Sequence, residues 1–163
     1  MALHPSESPG FLLWHATLRW QRGITRALAP LDLTHVQFVL LAGTWWLNQQ
    51  GRHPSQIALA EFAGTDVKMT SQVVRSLERK GLVEREVDQS DSRARRLRVT
   101  RRGARLAPRA IDVVEHVDAE FFEQAPPADA VHFLRRLARV PEQMQHSGER
   151  EPHRVTATHR GAR

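Results

Sequence analysis

The run at residues 66–100, DVKMTSQVVRSLERKGLVEREVDQSDSRARRLRVT, constrains this chain more than any other. It reads as a helix, a strand, a short polar loop and a second strand. In the helical part Lys68, Gln72, Arg75 and Arg79 recur at steps of four, three and four, so they share one stripe, with Ser71 beside them. Val67, Thr70, Val74 and Leu77 form the opposite, mostly apolar stripe, which can lie on a core. Lys80-Gly81 closes the helix, because glycine takes the left-handed conformation after a helix without steric cost. Residues 82–87 and 95–99 then alternate as strands, with Leu97 and Val99 on one face and Arg96 and Arg98 on the other. The connection, residues 88–94, is polar and carries Arg93.

A helix with a polar, partly basic face followed by a basic two-stranded ribbon suits a DNA duplex. The helix fits the major groove, and the hairpin tip can reach backbone or minor groove beside it. A solvated helix face next to an ordinary hairpin has the same periodicity, so pattern alone does not choose. Charge distribution does. Residues 66–109 hold 13 Lys+Arg against 6 Asp+Glu, a net of +7, whereas the whole chain is +6, so the remainder sums to −1. A positive block this concentrated gains affinity for a polyanion by counterion release. A membrane surface would instead want a broad apolar helix face with lysine-rich flanks, which this block lacks.

The run LVEREVDQSDSRARRLRVTRRG resembles the wing and following helix start of the multiple antibiotic resistance regulator (MarR) family of bacterial winged-helix transcription factors. That family's D-x-x-D-x-R pattern, its hydrophobic strand residues, Leu-Thr and glycine correspond to Asp88, Asp91, Arg93, Leu97, Val99, Thr100 and Gly103, with Val99 in place of the usual leucine. Ser92 stands where many members carry a second basic residue. Upstream, TSQVVRSLERKGLV is similar to the family's recognition helix ending in Leu-x-x-x-Gly-Leu-Val, and segment order agrees over about residues 11–140. The resemblance implies that Ser71, Gln72 and Arg75 face the major groove. It makes Arg93 the arginine that enters the minor groove and Asp91 the acid that orients a wing arginine. The DNA-facing set is then Lys68, Thr70, Ser71, Gln72, Arg75, Arg79, Asp91, Arg93 and Arg95; Thr70 is included although its spacing places it with the apolar stripe.

The rest of the chain supports a mainly α fold with a small β-hairpin wing: a winged helix-turn-helix with N- and C-terminal dimerisation helices. Residues 1–10 are polar with two prolines and read as a flexible arm. Residues 11–29 read as a helix stopped by Pro30, with Phe11, Trp14, Leu18, Ile24 and Leu28 on a broad apolar side. Leu12, Leu13 and Trp20 fall outside that stripe, more apolar surface than one packing partner needs, as expected of a helix buried between subunits. Thr34-x-x-Gln37 is a capping-box signature for a second, nearly all-apolar and therefore central helix. Residues 55–63, a Gly64-Thr65 turn and residues 66–80 have the order of a helix-turn-helix. Thr100 can cap a long helix to about residue 124, with Ile111, Val114, Val117, Phe121 and Phe122 as its stripe and Pro108 bending it or delaying its regular start. Ala130, Phe133, Leu134 and Leu137 mark a last amphipathic helix at 129–140. The predicted organisation is a regulator domain at 11–140, its DNA-binding lobe at about 34–100 and its dimerisation helices at about 11–29 and 101–140. A basic tail without periodicity, read as disordered, follows at 141–163.

Other chemistry finds little footing. The chain has no cysteine, which removes disulfides and thiolate-ligated zinc. Its nine histidines form no metal-binding spacing, and no cofactor or metal is implied. There is no P-loop, no G-x-S-x-G elbow and no paired-acid motif, so an enzyme is not expected. The first ten residues lack the basic and apolar regions of a signal peptide, and no apolar run approaches a bilayer span, so the cytoplasm, at the nucleoid, is the expected compartment. Trp14, Trp20, Trp45 and Trp46 are expected mainly in cores. The resemblance implies a pocket between the N-terminal helix, the second helix and the winged lobe for a small aromatic or lipophilic anion; Trp14, His15, Arg19 and Trp45 are the candidates. The expected function is a homodimeric, sequence-specific regulator on a pseudo-palindromic duplex operator, a ligand-responsive repressor by family analogy. The alternative is a winged-helix interaction module whose basic face meets an acidic protein.

Overall fold

The computed structural model describes residues 4–87, 95–123, 125 and 127–138. Its elements run α1 (Pro9–Leu28), α2 (His35–Gln49), α3 (Gln56–Ala63), α4 (Val67–Arg79), β1 (Val83–Val87), β2 (Arg95–Val99), α5 (Arg101–Phe121) and α6 (Pro127–Ala138). Short 3-10 turns precede and follow α1. The chain divides into two compact units, Met1–Phe121 and Phe122–Arg163. Among the described residues no single helix is long and apolar enough to cross a membrane.

Local signals explain most boundaries. The Ser8 hydroxyl accepts from Phe11 N–H and Pro9 occupies the first helical position, so α1 begins two residues before the expected start, inside the stretch read as an arm. The Thr34–Gln37 capping box forms in both directions. Ser55 and Asp66 cap α3 and α4, their side chains accepting from Ala58 and Met69 N–H. Gly64 and Gly81, at φ +63° and +65°, supply the left-handed turns that end these two helices.

In the first unit α2 is the hub, packed against α1, α3, α4, α5 and β2. Leu40, Leu41 and Leu47 of α2 join Ile24 and Leu28 of α1, Leu59 of α3, Val74 and Leu77 of α4, and Leu82, Val83 and Leu97 of the hairpin in one buried cluster. The strands pair antiparallel, Val83 opposite Val99 and Val87 opposite Arg95.

Within the chain only Ile24 and Leu28 of α1 are buried, while Phe11, Leu12, Leu13 and Trp14 on its N-terminal half stay exposed. Two expectations change. The buried seam of α5 is Gly103, Ala107, Ala110 and Val114, with Ile111 and Val117 half-buried on its flanks. Small residues take that seam because α5 packs closely on its neighbours; a Cβ on Gly103 would fall 2.0 Å from the Leu82 carbonyl oxygen. Finally, α5 starts at once after Thr100, whose hydroxyl accepts from Gly103 N–H at 3.1 Å, and runs through Pro108 without a delayed start. In the second unit α6 leaves Val131, Phe133, Leu134 and Leu137 exposed.

Candidate nucleic-acid interface

The outward face of α4 carries the predicted stripe. Lys68, Gln72, Arg75 and Arg79 are exposed and Ser71 is half-buried between them. Arg75 donates from Nη2 to Ser71 Oγ at 3.1 Å, one turn back, so the serine orients the guanidinium along the helix surface. The remaining face is fixed by burial of Val74 and Leu77.

Thr70 does not belong with the DNA-facing set. It is fully buried; its hydroxyl donates to Asp66 carbonyl oxygen at 2.8 Å and lies 2.8 Å from Thr65 Oγ1. Its spacing with Val74 and Leu77 turns it inward, where it locks the α3–α4 turn. Val67 and Met69, by contrast, are exposed near the start of α4, as is Ile57 on α3. Apolar side chains there suit a thymine methyl in a major groove, a contact that a search for polar residues passes over.

Both ends of α4 are held. Asp66 Oδ1 accepts from Met69 N–H at 2.9 Å at its start. At its end Lys80 Nζ reaches the Asp32 carbonyl and carboxylate and, at 3.1 Å, Gln37 Oε1, while Gln37 Nε2 donates to Ser76 Oγ at 3.0 Å. Gln37 is also the capping-box residue of α2, so one side chain sets the start of α2 and the end of α4 together.

The hairpin is clamped from α2 and the loop after it. Asn48 donates from Nδ2 to Leu97 carbonyl oxygen at 3.2 Å, and its Oδ1 accepts from Val99 N–H at 2.9 Å. Leu97 N–H donates to Pro54 carbonyl oxygen at 2.9 Å. Arg85 of β1 meets Glu78 of α4 at 3.5 Å and Gln56 of α3 at 3.2 Å, and Arg98 pairs with Glu86 across the strands at 3.0 Å. None of Asn48, Gln56 and Arg85 stands out in the sequence; these contacts join residues up to 51 positions apart. Arg95 is exposed opposite Val87. Asp91 and Arg93, in the connection between the strands, lie outside the described residues.

The candidate effector residues separate. His15 and Arg19 line an open pocket of about 340 Å³ with Ala16, Arg22 and Phe121, and the Arg19 guanidinium sits 5.7 Å from the Phe121 ring centre. Trp14, one residue and about 100° round the helix from His15, stays outside it at 60% exposure. Trp45 packs against the buried core on α2 and is not part of the pocket wall. Arg22, one step along the helical spacing from His15 and Arg19, was legible in sequence; Phe121, on another element, was not. Close by in the same helices, Trp20 Nε1 donates to Asp118 Oδ1 at 2.6 Å and its ring meets His35 edge-on at 5.0 Å. Burial holds the His35 pKa below its ordinary 6.5, and the Asp118 carboxylate partly opposes that shift.

Comparison with known proteins agrees with this geometry. The MarR family model matches residues 33–94. The uncharacterized HTH-type transcriptional regulator YdcH of Bacillus subtilis (strain 168) is 46% identical over 121 residues, 74% of this chain and 82% of the relative. The crystal structure of CouR from Rhodococcus jostii RHA1 bound to p-coumaroyl-CoA superposes with a TM-score of 0.73 at 25% identity, covering 92% of this chain and all of that one. The S. aureus MepR–DNA complex shares the fold, with a TM-score of 0.70 at 20% identity over 81% of this chain and 95% of that one. With that identity across most of its length, and a helix-turn-helix followed by a clamped hairpin, the chain belongs to the MarR family of DNA-binding, winged-helix transcriptional regulators.

Proposed function

We propose that this regulator acts as a homodimer that reads a pseudo-palindromic duplex operator, and that it represses until a small aromatic or lipophilic anion binds. The observation that carries the reading is the outward face of α4, with Lys68, Ser71, Gln72, Arg75 and Arg79 presented by a helix tied at both ends. Arg75 suits a guanine edge, Gln72 an adenine edge, and Lys68 and Arg79 the phosphates alongside. A twofold axis would set two such helices about 34 Å apart, on successive major grooves. The exposed Phe11, Leu12, Leu13 and Trp14 of α1 supply an apolar surface for that axis. The pocket of His15, Arg19, Arg22 and Phe121 pairs cationic groups with an aromatic wall, suitable for a ring bearing a negative charge. A ligand that prefers a dimer geometry out of register with the grooves weakens DNA binding by its difference in affinity for the two geometries. CouR, solved with p-coumaroyl-CoA, supports a ligand-responsive reading.

Fluorescence anisotropy over a salt series tests the DNA face. Arg75→Ala is expected to lower operator affinity by about 1–3 kcal/mol and relax one half-site position. Arg93→Ala, in the wing by family resemblance, is expected to weaken binding to many sequences and flatten the salt slope by about 1. Wild-type affinity and slope in both variants would remove these residues from the interface.

A further inference from the structure

The positive charge of residues 66–109 exceeds what α4 and the hairpin use. Arg101, Arg105 and Arg109 stand one turn apart on α5, all exposed, and form a single stripe roughly 12 Å long. Among the described residues none of the three has an ion-pair or hydrogen-bond partner. Their placement is unfavourable on two counts. Arg101 lies in the first turn of α5, where a cation opposes the positive end of the helix, and no acidic residue stands in that turn to offset it. Like charges at i and i+4 also repel. Neighbouring Arg102 differs, because its Nη1 donates to Lys80 carbonyl oxygen at 3.0 Å and closes the end of α4. Packing does not account for the stripe either, since the buried seam of α5 runs through Gly103, Ala107, Ala110 and Val114.

The stripe is rigidly joined to the DNA-reading elements. Thr100, between β2 and α5, donates from Oγ1 to Gly81 carbonyl oxygen at 2.6 Å and from its N–H to Leu82 carbonyl oxygen at 3.1 Å. A row of unpartnered guanidiniums on a fixed helix matches a partner with regularly spaced negative charge. At roughly 3.4 Å of rise per phosphate along one strand, the stripe spans about three phosphates.

We propose that Arg101, Arg105 and Arg109 hold backbone phosphates of the duplex that continues outward from each operator half-site. DNA curving toward the lobe past the hairpin meets them, so the footprint extends beyond the base pairs that α4 reads. The proposal rests on the DNA-binding reading above, and duplex length separates the two.

An operator recovered by selection from a random duplex pool is placed in a duplex of about 24 bp, and in the same duplex extended by about 15 bp of random sequence at each end. The expected wild-type result is a salt slope on the long duplex steeper by about 2 to 3 for each lobe engaged. The triple variant R101Q/R105Q/R109Q removes that difference yet binds the short duplex within about twofold of wild type, and the triple lysine variant keeps it, because phosphate contact needs charge more than shape. Equal wild-type slopes at both lengths would overturn the proposal. So would an equal loss on both duplexes in the glutamine variant, or a change in its sedimentation mass, which would assign the stripe to a second copy of the chain. Failure of wild type to bind the short duplex would take down the DNA reading and this one with it.

Discussion

Gly103 shows how one residue type can be forced by backbone alone. Its Cβ position lies 2.0 Å from Leu82 carbonyl oxygen, which itself accepts from Thr100 N–H and cannot retreat without breaking the strand-to-helix joint. Gly103→Ala is therefore expected to cost about 1–3 kcal/mol, read as a lower urea midpoint at unchanged slope. His35 makes a different kind of prediction. Burial lowers its folded pKa below 6.5, so the unfolded chain binds the proton more readily. Its contribution to stability is full above the unfolded value and is lost as pH falls below it. Melting curves between about pH 8 and pH 5 should show wild type losing stability faster than His35→Asn; parallel curves would show that His35 does not set the acid limb.

The secondary elements owe their positions to a few polar side chains with tasks on two elements at once. Gln37 serves the cap of α2 and the end of α4, and Asn48 ties the end of α2 to β2. The described residues contain no buried side-chain nitrogen or oxygen without a partner, so such contacts are costly to break. Asn48→Ala strands Val99 N–H and Leu97 carbonyl oxygen and is expected to cost about 1–3 kcal/mol. Because it frees the wing strand and leaves α4 in place, it should weaken DNA binding alike across sequences, measured by anisotropy on operator and random duplexes. A loss confined to the operator would contradict that division of labour.

For the molecule as a whole, Phe11, Leu12, Leu13 and Trp14 leave a run of apolar side chains exposed at the start of α1, larger than isolated surface residues require. If they meet their symmetry mates, replacing Leu12 and Leu13 together by glutamate should shift sedimentation at micromolar concentration from dimer to monomer. DNA affinity should fall with it, because two half-sites are then read independently. A wild-type chain that sediments as a monomer would remove the twofold reading.

Residue order and spacing by themselves determined the helix-turn-helix, the alternation of Leu97 and Arg98 between the two faces of β2, the caps at Thr34 and Thr100 and the polar stripe of α4, because each depends on neighbours within a few positions. Only the tertiary structure decided that Thr70 turns inward, that small residues form the α5 seam and that Asn48 and Gln37 hold β2 and α4 in place. It also set the His15–Arg19 pocket apart from Trp14 and Trp45. These features depend on which faces of distant segments meet, and helical periodicity fixes a face without naming what lies against it.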